Sequence, residues 1–289
     1  MSAKIIDGKA IARRVRDDWR IRVDKLKAAG VTPGLAVIMI GDNAASQVYV
    51  RNKIKACHDI GIYSDVQLLP ATASQTEVVK LIDQLNADPR IHGLLVQLPL
   101  PPKMDVHTVI ERIALDKDVD GFSLYNVGGL VTGGTVFPPC TPYGVVCMLE
   151  YSNIPITGQN VVVVGASNIV GKPMALMLMQ KEATVAICHV KTRDLAQFTI
   201  LADILVVAAG KPGLITAPMV KTGAVVIDVG INRLADGTLV GDVDFDAVKE
   251  KASYITPVPG GVGPMTVTML LCNTIQSAER SAAKQGIEF

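Results

Sequence analysis

A tyrosine and a lysine four residues apart are the first side chains of this sequence that could do chemistry together. Tyr49 and Lys53 lie in the segment 44–60, whose pattern predicts a helix, and an i,i+4 pair shares one helix face. The ring could stack on a flat heterocycle while the ammonium supplies a proton at its edge. Desolvation by such a ligand would lower the lysine pKa toward the range useful for acid–base catalysis. A plain surface pair is the commoner occurrence of this pattern.

Two more polar side chains follow segments that have the composition of buried strands. Gln97 ends the apolar run 93–97, and strand carboxyl ends of a parallel sheet face the ligand crevice. Its amide offers both a donor and an acceptor. Asp118 and Asp120 close the next segment, and a carboxylate there could accept two hydrogen bonds from an amino-pyrimidinone edge. Turn capping is the alternative role for either aspartate.

A glycine-containing turn after another apolar strand indicates a nucleotide site. Strand 160–164 runs into Gly165-Ala166-Ser167, and a helix pattern follows. Exposed backbone N–H groups and the helix dipole favour a pyrophosphate, although Gly-x-Ser-x-x-x-Gly departs from the dinucleotide fingerprint. The next strand ends at His189, Lys191 and Arg193, where an NAD site usually carries an acid. Cations attract a 2′-phosphate, so the sequence predicts NADP; solvated helix-start charges are the alternative.

Residues 257–266 hold three prolines and three glycines. Proline fixes φ and glycine opens φ > 0, so we expect a rigid loop, neither helix nor central strand. A strand-like segment, 252–256, precedes it and a helical pattern follows from Met265 to about Ala282. Loops between a strand end and a helix start are where α/β enzymes bind ligands.

Composition excludes several classes of function. The chain has 289 residues, 49% hydrophobic and 19% charged, with a net charge of +1, so we expect neither a nucleic-acid nor a membrane partner. No apolar run approaches the ~18 residues of a membrane span. Five scattered cysteines without CxxC spacing predict reduced thiols in a cytoplasmic protein, without a metal site.

Alternating strand and helix patterns predict an α/β fold of two domains, with a ligand cleft between them. The first is expected to span 1–140 plus the C-terminal helix 265–289. The second, 141–264, is expected to be a Rossmann-like doubly wound parallel sheet. The weakly periodic, Gly- and Pro-rich stretch 116–142 is the expected crossing between the domains. Predicted strands are 34–40, 63–69, 93–97, 160–164, 184–188, 204–208 and 224–229.

Six motifs in this order give the chain a resemblance to a known family. They are Ser46-x-x-Tyr49-x-x-x-Lys53, Val96-Gln97-Leu98-Pro99-Leu100-Pro101, Lys117-Asp118-Val119-Asp120-Gly121, Pro139-Cys140-Thr141-Pro142, Gly165 to Pro173 and Pro257 to Thr266. From about residue 5 to 282 the chain resembles the bifunctional methylenetetrahydrofolate dehydrogenase/methenyltetrahydrofolate cyclohydrolase family, the FolD proteins. The resemblance implies oxidation of 5,10-methylenetetrahydrofolate with NADP⁺, then hydrolysis of the methenyl product to 10-formyltetrahydrofolate. It also implies tetrahydrofolate derivatives and NADP(H) as ligands, and a homodimer.

The resemblance also implies roles for particular residues. Tyr49 stacks on the folate, Lys53 is the key catalytic group, Gln97 tunes that lysine and Asp120 holds the pterin. Further folate contacts are Val96, Leu98, Gly263 and Pro264. Gly165, Ala166, Ser167 and Ile231 touch NADP by the same resemblance, and the full set of expected nucleotide contacts adds Ile169, His189, Lys191 and Thr266.

One departure concerns the 2′-phosphate. Some members grip it with an Arg and a Ser where this chain has Ala166 and Val190, so we expect His189 or Lys191 to take that task. Two alternatives to the bifunctional enzyme remain at this point. One is a monofunctional NAD(P)-dependent dehydrogenase of the same fold, and the other is a non-catalytic nucleotide-binding protein.

Overall fold

Two parallel sheets organise the chain in the computed structural model, which describes residues 2–289. The strands are β1 (Lys4–Ile5), β2 (Gly34–Ile40), β3 (Tyr63–Leu69), β4 (Gly93–Val96), β5 (Asn160–Val164), β6 (Thr184–Cys188), β7 (Ile204–Val207), β8 (Val225–Asp228), β9 (Asn232–Arg233), β10 (Leu239–Val240) and β11 (Tyr254–Ile255). The helices are α1 (Gly8–Ala28), α2 (Ala44–Ile60), α3 (Gln75–Ala87), α4 (Val106–Glu111), α5 (Leu124–Thr132), α6 (Cys140–Tyr151), α7 (Gly171–Gln180), α8 (Leu195–Thr199), α9 (Phe245–Lys249) and α10 (Val262–Lys284).

Contacts between Cα atoms divide the chain into two units. The three-stranded unit comprises Arg14–Cys140 and Val267–Phe289, and the six-stranded unit comprises the chain up to Arg13 and Thr141–Thr266. The N-terminal residues join the six-stranded unit because β1 pairs with β11.

The three-stranded unit has the strand order β3-β2-β4, all parallel. Every residue of β2 is buried, because a central parallel strand is covered on both faces. Its core packs β2 and β4 against α3 and α4 through side chains such as Ile38, Leu94, Ile82 and Val109. The sequence therefore predicted these three strands correctly.

The six-stranded unit has the order β1-β11-β8-β7-β5-β6, and every pairing in it is parallel. The first strand of the αβ series, β5, lies between β6 and β7, so the winding direction reverses there. This is the doubly wound arrangement, whose ligand crevice lies at the carboxyl ends of the strands flanking the switch point. The predicted doubly wound sheet is confirmed.

Gly165 lies at this switch point, directly after β5. Its φ is 121°, and a Cβ added to it would lie 2.1 Å from the carbonyl oxygen of Ala208, which follows β7. Only glycine fits such a position. The two loops that leave β5 and β7 consequently approach each other through backbone alone.

The structure corrects the expected loop at 257–266. Helix α10 begins at Val262, so Gly263, Pro264, Met265 and Thr266 are helical. Proline is tolerated in a first helical turn because the N–H groups there have no intrahelical acceptor. The prolines and glycines of the run therefore end a loop and start a helix within ten residues.

The stretch 116–142 contains the helix α5, which its weak periodicity had concealed. Ser123 caps it by accepting from the backbone N–H of Asn126 at 3.4 Å. Asn126 is fully buried, and its side-chain oxygen accepts from the backbone N–H groups of Val136 and Phe137, both at 3.0 Å. A buried amide in a nine-residue helix replaces one apolar position, which removes the periodic signal.

Within residues 2–289, no helix is both long and apolar enough to cross a bilayer. The same residues contain no cluster of three or more His, Cys, Asp or Glu side chains able to hold a metal. All five cysteines are buried and none takes part in a disulfide among the residues described.

Candidate active site and nucleotide site

Lys53 is a buried lysine on α2 of the three-stranded unit. Its relative exposure is 7%, and its Nζ donates a hydrogen bond to Gln97 Oε1 at 3.1 Å. Asn43 starts α2 by accepting from the backbone N–H of Ser46, and Gly61 ends it in the left-handed conformation. A buried ammonium needs polar partners, and here the partner is a neutral amide oxygen.

Gln97 follows the carboxyl end of β4, as expected from the sequence. Its backbone N–H continues the sheet by donating to Ile38 O at 2.9 Å, and its Nε2 donates to Leu98 O at 2.9 Å. The second bond fixes the orientation of the amide, so the oxygen is directed at Lys53. Val96 on one side is buried and Leu98 on the other is partly buried.

Asp120 is the carboxyl group that shares this environment. Burial raises the pKa of Asp120, while the nearby positive charge of Lys53 favours its ionised form and the negative charge of Asp118 disfavours it. The Cys140 thiol also hydrogen-bonds to it. Burial raises the pKa of Cys140 well above its ordinary value, so the sulfur keeps its proton and can act as a donor.

Asp118 has a different task from Asp120, although the two are only two residues apart. It is 1% exposed and accepts from the backbone N–H of Ser123 at 2.9 Å and from Asn126 Nδ2 at 2.8 Å. These bonds hold the start of α5 against the turn. The capping alternative therefore describes Asp118.

Tyr49 lies one helical turn before Lys53 and retains 37% of its surface exposed. Partial burial raises the pKa of its phenol. Cys57 lies one turn after Lys53 and is fully buried, which raises its pKa to about 12 despite the opposing charge of Lys53. The helix face thus runs from a partly exposed aromatic ring, through the ammonium, to an inert thiol.

The turn after β5 in the six-stranded unit is held by Ser167. Its Oγ accepts from the backbone N–H groups of Val170 at 3.1 Å and Gly171 at 3.4 Å, where α7 starts. A Cβ on Gly171 would lie 2.0 Å from Gly165 O, so this turn is closed by two glycines in contact. Ala166 is partly buried, and Ile169 is 41% exposed.

The cations expected to select the 2′-phosphate follow β6 in the same unit. His189 Nδ1 accepts from the backbone N–H of Lys191 at 3.1 Å, and His189 N donates to Thr192 Oγ1 at 2.9 Å. Both cationic candidates have exposed side chains on this tight turn, and Val190 between them is 94% exposed.

Ile231 follows β8 and lies beside the start of α10. A Cβ on Gly263 would be 3.6 Å from Ile231 Cδ1, and the isoleucine is 44% exposed. Thr266 on the same helix shares a 3.0 Å hydrogen bond with the hydroxyl of Thr141 and donates to Val262 O at 3.4 Å. Gly263 and Pro264 are both partly buried.

Two family models match the chain in adjacent segments. The one described as tetrahydrofolate dehydrogenase/cyclohydrolase, catalytic domain, matches residues 6–120, and the one described as the NAD(P)-binding domain of the same proteins matches residues 139–282. The chain belongs to the tetrahydrofolate dehydrogenase/cyclohydrolase family. The resemblance found in the sequence motifs is thereby confirmed.

Individual relatives of the tetrahydrofolate dehydrogenase/cyclohydrolase family are similar over nearly their whole length. The bifunctional protein FolD of Nitrosospira multiformis is 64% identical over 284 residues, which are 98% of this chain and 99% of the relative. The crystal structure of the bifunctional FolD enzyme of Campylobacter jejuni has a TM-score of 0.95 at 50% identity and covers 96% of this chain and 99% of its own. The Trypanosoma brucei enzyme, complexed with NADP and an inhibitor, has a TM-score of 0.95 at 40% identity and covers 98% and 99%.

As a member of this family the chain is an enzyme with two activities. It is a methylenetetrahydrofolate dehydrogenase that uses NADP and a methenyltetrahydrofolate cyclohydrolase. The monofunctional and non-catalytic alternatives are therefore set aside.

The turn after β5 fits a dinucleotide on structural grounds. Ser167 Oγ is engaged with the helix start, glycines close the turn without side chains, and the ten-residue helix α7 begins there. Such a turn brings backbone N–H groups and the positive end of a helix to a pyrophosphate.

Cys140 is a neighbour of Asp120 that sequence reasoning missed. It lies in the Pro-Cys-Thr-Pro motif but was given no role, because a lone cysteine carries no signal for a contact with Asp120, twenty residues earlier. The single thiol proton has Val119 O, 3.3 Å from the sulfur, as its other acceptor. Its place depends on the three-dimensional packing of the Cys140 side chain against Val119 and Asp120.

Proposed function

We propose that Lys53 is the proton-transfer group of the cyclohydrolase reaction. The observation that carries this proposal is the 3.1 Å bond from its buried Nζ to Gln97 Oε1. An ammonium has three N–H donors, so one bond to Gln97 leaves two for water and substrate. The hydrogen-bond acceptor is neutral, so this bond does not hold the proton on Nζ as a contacting carboxylate would; Asp120 is the negative charge nearby.

Gln97 is a positioning residue for this lysine. Its Nε2 is committed to Leu98 O, so its oxygen keeps one orientation and Lys53 keeps one rotamer. Val96 and Leu98, the neighbours of Gln97 in the sequence, are further proposed folate contacts. Fixed geometry is what gives a general acid or base its typical ~10²–10⁴-fold effect.

Tyr49 and Asp120 bind the folate. The partly exposed ring of Tyr49 stacks on the flat pterin, one helical turn from Lys53. Asp120 accepts hydrogen bonds from the parallel N–H donors of the amino-pyrimidinone edge, which is a charge-assisted arrangement. Gly263 and Pro264, in the first turn of α10, complete the proposed folate contacts.

The six-stranded unit holds NADP. Gly165, Ala166, Ser167 and Ile169 form the surface for the pyrophosphate, and His189 or Lys191 binds the 2′-phosphate. Ile231 and Thr266 complete the set of contacts. When bound, NADP⁺ supplies the acceptor for the hydride that leaves the folate methylene carbon.

The two reactions make different demands on these residues. Oxidation is driven by lone pairs on the folate nitrogens, so the protein contributes orientation and little acid–base chemistry. Hydrolysis adds water to the methenyl carbon and opens the ring to 10-formyltetrahydrofolate, so the water gives up two protons, one of which reaches the freed ring nitrogen while the other is released to solvent. Lys53 Nζ serves this second reaction.

The domain assignment follows from these roles. We assign residues 1–140 with the C-terminal helix 265–289 to the folate-binding catalytic domain and 141–264 to the NADP-binding domain, although β1 of the first segment pairs with β11 of the six-stranded sheet. Of these residues, Met1 lies outside the part of the chain that the structure describes. The protein forms a homodimer, for which β6 supplies an edge strand with Ile187 43% exposed. It works in the cytoplasm, a reducing compartment suited to its buried thiols.

Substitution of Gln97 tests the proposal. Gln97→Ala removes the acceptor of Lys53, and nucleotide-free hydrolysis of methenyltetrahydrofolate should fall about 10- to 100-fold, within the range of a positioned proton-transfer group. The dehydrogenase, followed by NADPH absorbance, should fall less. Gln47→Ala, on an exposed turn of the same helix, is the matched control. Equal losses of the hydrolase and dehydrogenase activities would contradict the proposal that Gln97 positions Lys53 for hydrolysis in particular.

A further inference from the structure

Asp242 is a fully buried carboxylate that none of the roles above uses. It follows β10 in the six-stranded unit, and its exposure is 0%. Its Oδ2 accepts from the backbone N–H groups of Ala209 at 2.6 Å and Gly210 at 2.8 Å. Its Oδ1 accepts from Lys211 N and from Asn232 Nδ2, both at 2.8 Å. Four donors on two oxygens suit an ionised carboxylate that needs no other counter-charge.

These donors belong to two different loops at the carboxyl ends of the sheet. Residues 209–211 follow β7, directly after Ala208, whose carbonyl lies against Gly165 of the nucleotide turn. Asn232 is the first residue of β9, so it lies at the end of the loop 229–231 that follows β8, and it is adjacent in sequence to Ile231. One carboxylate therefore fastens both loops that flank the proposed nucleotide surface.

A second buried carboxylate, Asp228, hydrogen-bonds to the backbone of Asp242 itself. Asp228, 4% exposed, accepts from Gly230 N at 2.9 Å, Asp242 N at 3.0 Å and Val243 N at 2.9 Å. A Cβ on Gly230 would lie 2.3 Å from Asp242 Cγ, and a Cβ on Gly241 would lie 1.9 Å from Asp228 Oδ2. Gly230, two residues after Asp228, therefore lies against Asp242. Gly241, next to Asp242, lies against Asp228.

We propose that Asp242 is a positioning residue of the dehydrogenase, which fixes the loops after β7 and β8 in the shape that binds NADP. Because its carboxyl is fully buried, it acts through the loops and does not touch the cofactor. Three consecutive backbone N–H groups cannot all bond to one another, so without the carboxylate the loop 209–211 must rearrange to find other acceptors. This inference rests on the proposed nucleotide site and adds a residue that organises it.

The variant Asp242→Asn keeps the shape of the side chain but replaces one acceptor oxygen by a donor. We expect its Kd for NADP, measured by calorimetric titration, to rise about 10- to 100-fold, because several charge-assisted bonds are weakened. The backbone amides of residues 209–211 should lose protection in hydrogen exchange of the folded protein. KM for methenyltetrahydrofolate in nucleotide-free hydrolysis should stay as in the unsubstituted enzyme. Asp244→Asn, an exposed helix cap two residues later, is the matched control.

The outcomes separate this proposal from the nucleotide site itself. If Asp242→Asn is folded and binds NADP with unchanged Kd while Gly165→Ala weakens it, the positioning role is overturned and the nucleotide site stands. If neither variant changes the Kd, the nucleotide site is overturned as well. Where Asp242→Asn fails to fold, Asn232→Ala removes the 2.8 Å bond to Asp242 Oδ1 together with a longer 3.5 Å bond to Val240 O, and unchanged NADP binding in that variant also overturns the role.

Discussion

The pair Asp118 and Asp120 offers a sharp test of how the folate is held. Substitution Asp120→Asn keeps the size of the side chain and removes its charge. A hydrogen bond to a charged group is worth roughly 1.5–3 kcal/mol, which corresponds to about a 10- to 150-fold change in affinity. KM for methylenetetrahydrofolate in the dehydrogenase and KM for methenyltetrahydrofolate in the hydrolase should both rise by a factor in this range, because both substrates present the same pterin.

Initial rates against folate concentration, recorded for each reaction separately, provide the assay. The matched control is Asp118→Asn, two residues away, where the carboxylate holds Ser123 N and Asn126 Nδ2. This control should lower the thermal unfolding temperature by several degrees, at ~2–4 °C per kcal/mol for a protein of this size. Its KM values should stay near those of the unsubstituted enzyme. An unchanged KM for folate in folded Asp120→Asn, or an equal rise of this KM in both variants, would refute the claim that Asp120 binds the folate while Asp118 only stabilises the fold.

Three other outcomes follow from the six-stranded unit. Gly165→Ala places a Cβ 2.1 Å from Ala208 O, so NADP binding by titration should weaken at least about tenfold while nucleotide-free hydrolysis persists; retained affinity would contradict the role of the turn. Lys191→Ala should raise KM for NADP⁺ several-fold and leave KM for NAD⁺ unchanged, since only NADP carries the 2′-phosphate. Equal changes in the two KM values would show that Lys191 does not bind the 2′-phosphate. Burial raises the pKa of Asp228 from 3.8 to about 6, so the folded state binds the proton more tightly. The free energy of unfolding should therefore fall by up to about 3 kcal/mol as pH rises from about 4 to about 6. In Asp228→Asn, thermal unfolding should show a smaller decrease over the same pH range. An identical decrease in the variant would show that Asp228 is not the group responsible.

Sequence reasoning succeeds here where one short segment determines the outcome. The continuous apolar runs of β2 and β5 predicted buried parallel strands because they are short and rich in β-branched residues, as strands covered on both faces are. Gln97 was placed at a strand end because Pro99 and Pro101 stop the strand. The helical spacing of Tyr49 and Lys53 placed both on one face.

What the sequence did not reveal depends on contacts between distant segments. Asp118 and Asp120 have the same chemistry and nearly the same position, and only the packing of α5 decides which one caps and which one shares the lysine's surroundings. Cys140 meets Asp120 across twenty residues, and Asp242 meets residues 209–211 across more than thirty. The start of α10 was placed three residues too late because proline was taken to exclude helix even in a first turn.

The ratio of the two activities in Lys53→Met tests the central claim most directly. Both rates are measured on one preparation, with Lys55→Met on the exposed side of the same helix as the control. Nucleotide-free hydrolysis should fall about 10²- to 10⁴-fold, while NADP-dependent oxidation falls far less. Similar, mild losses of both activities would contradict the assignment of proton transfer to Lys53.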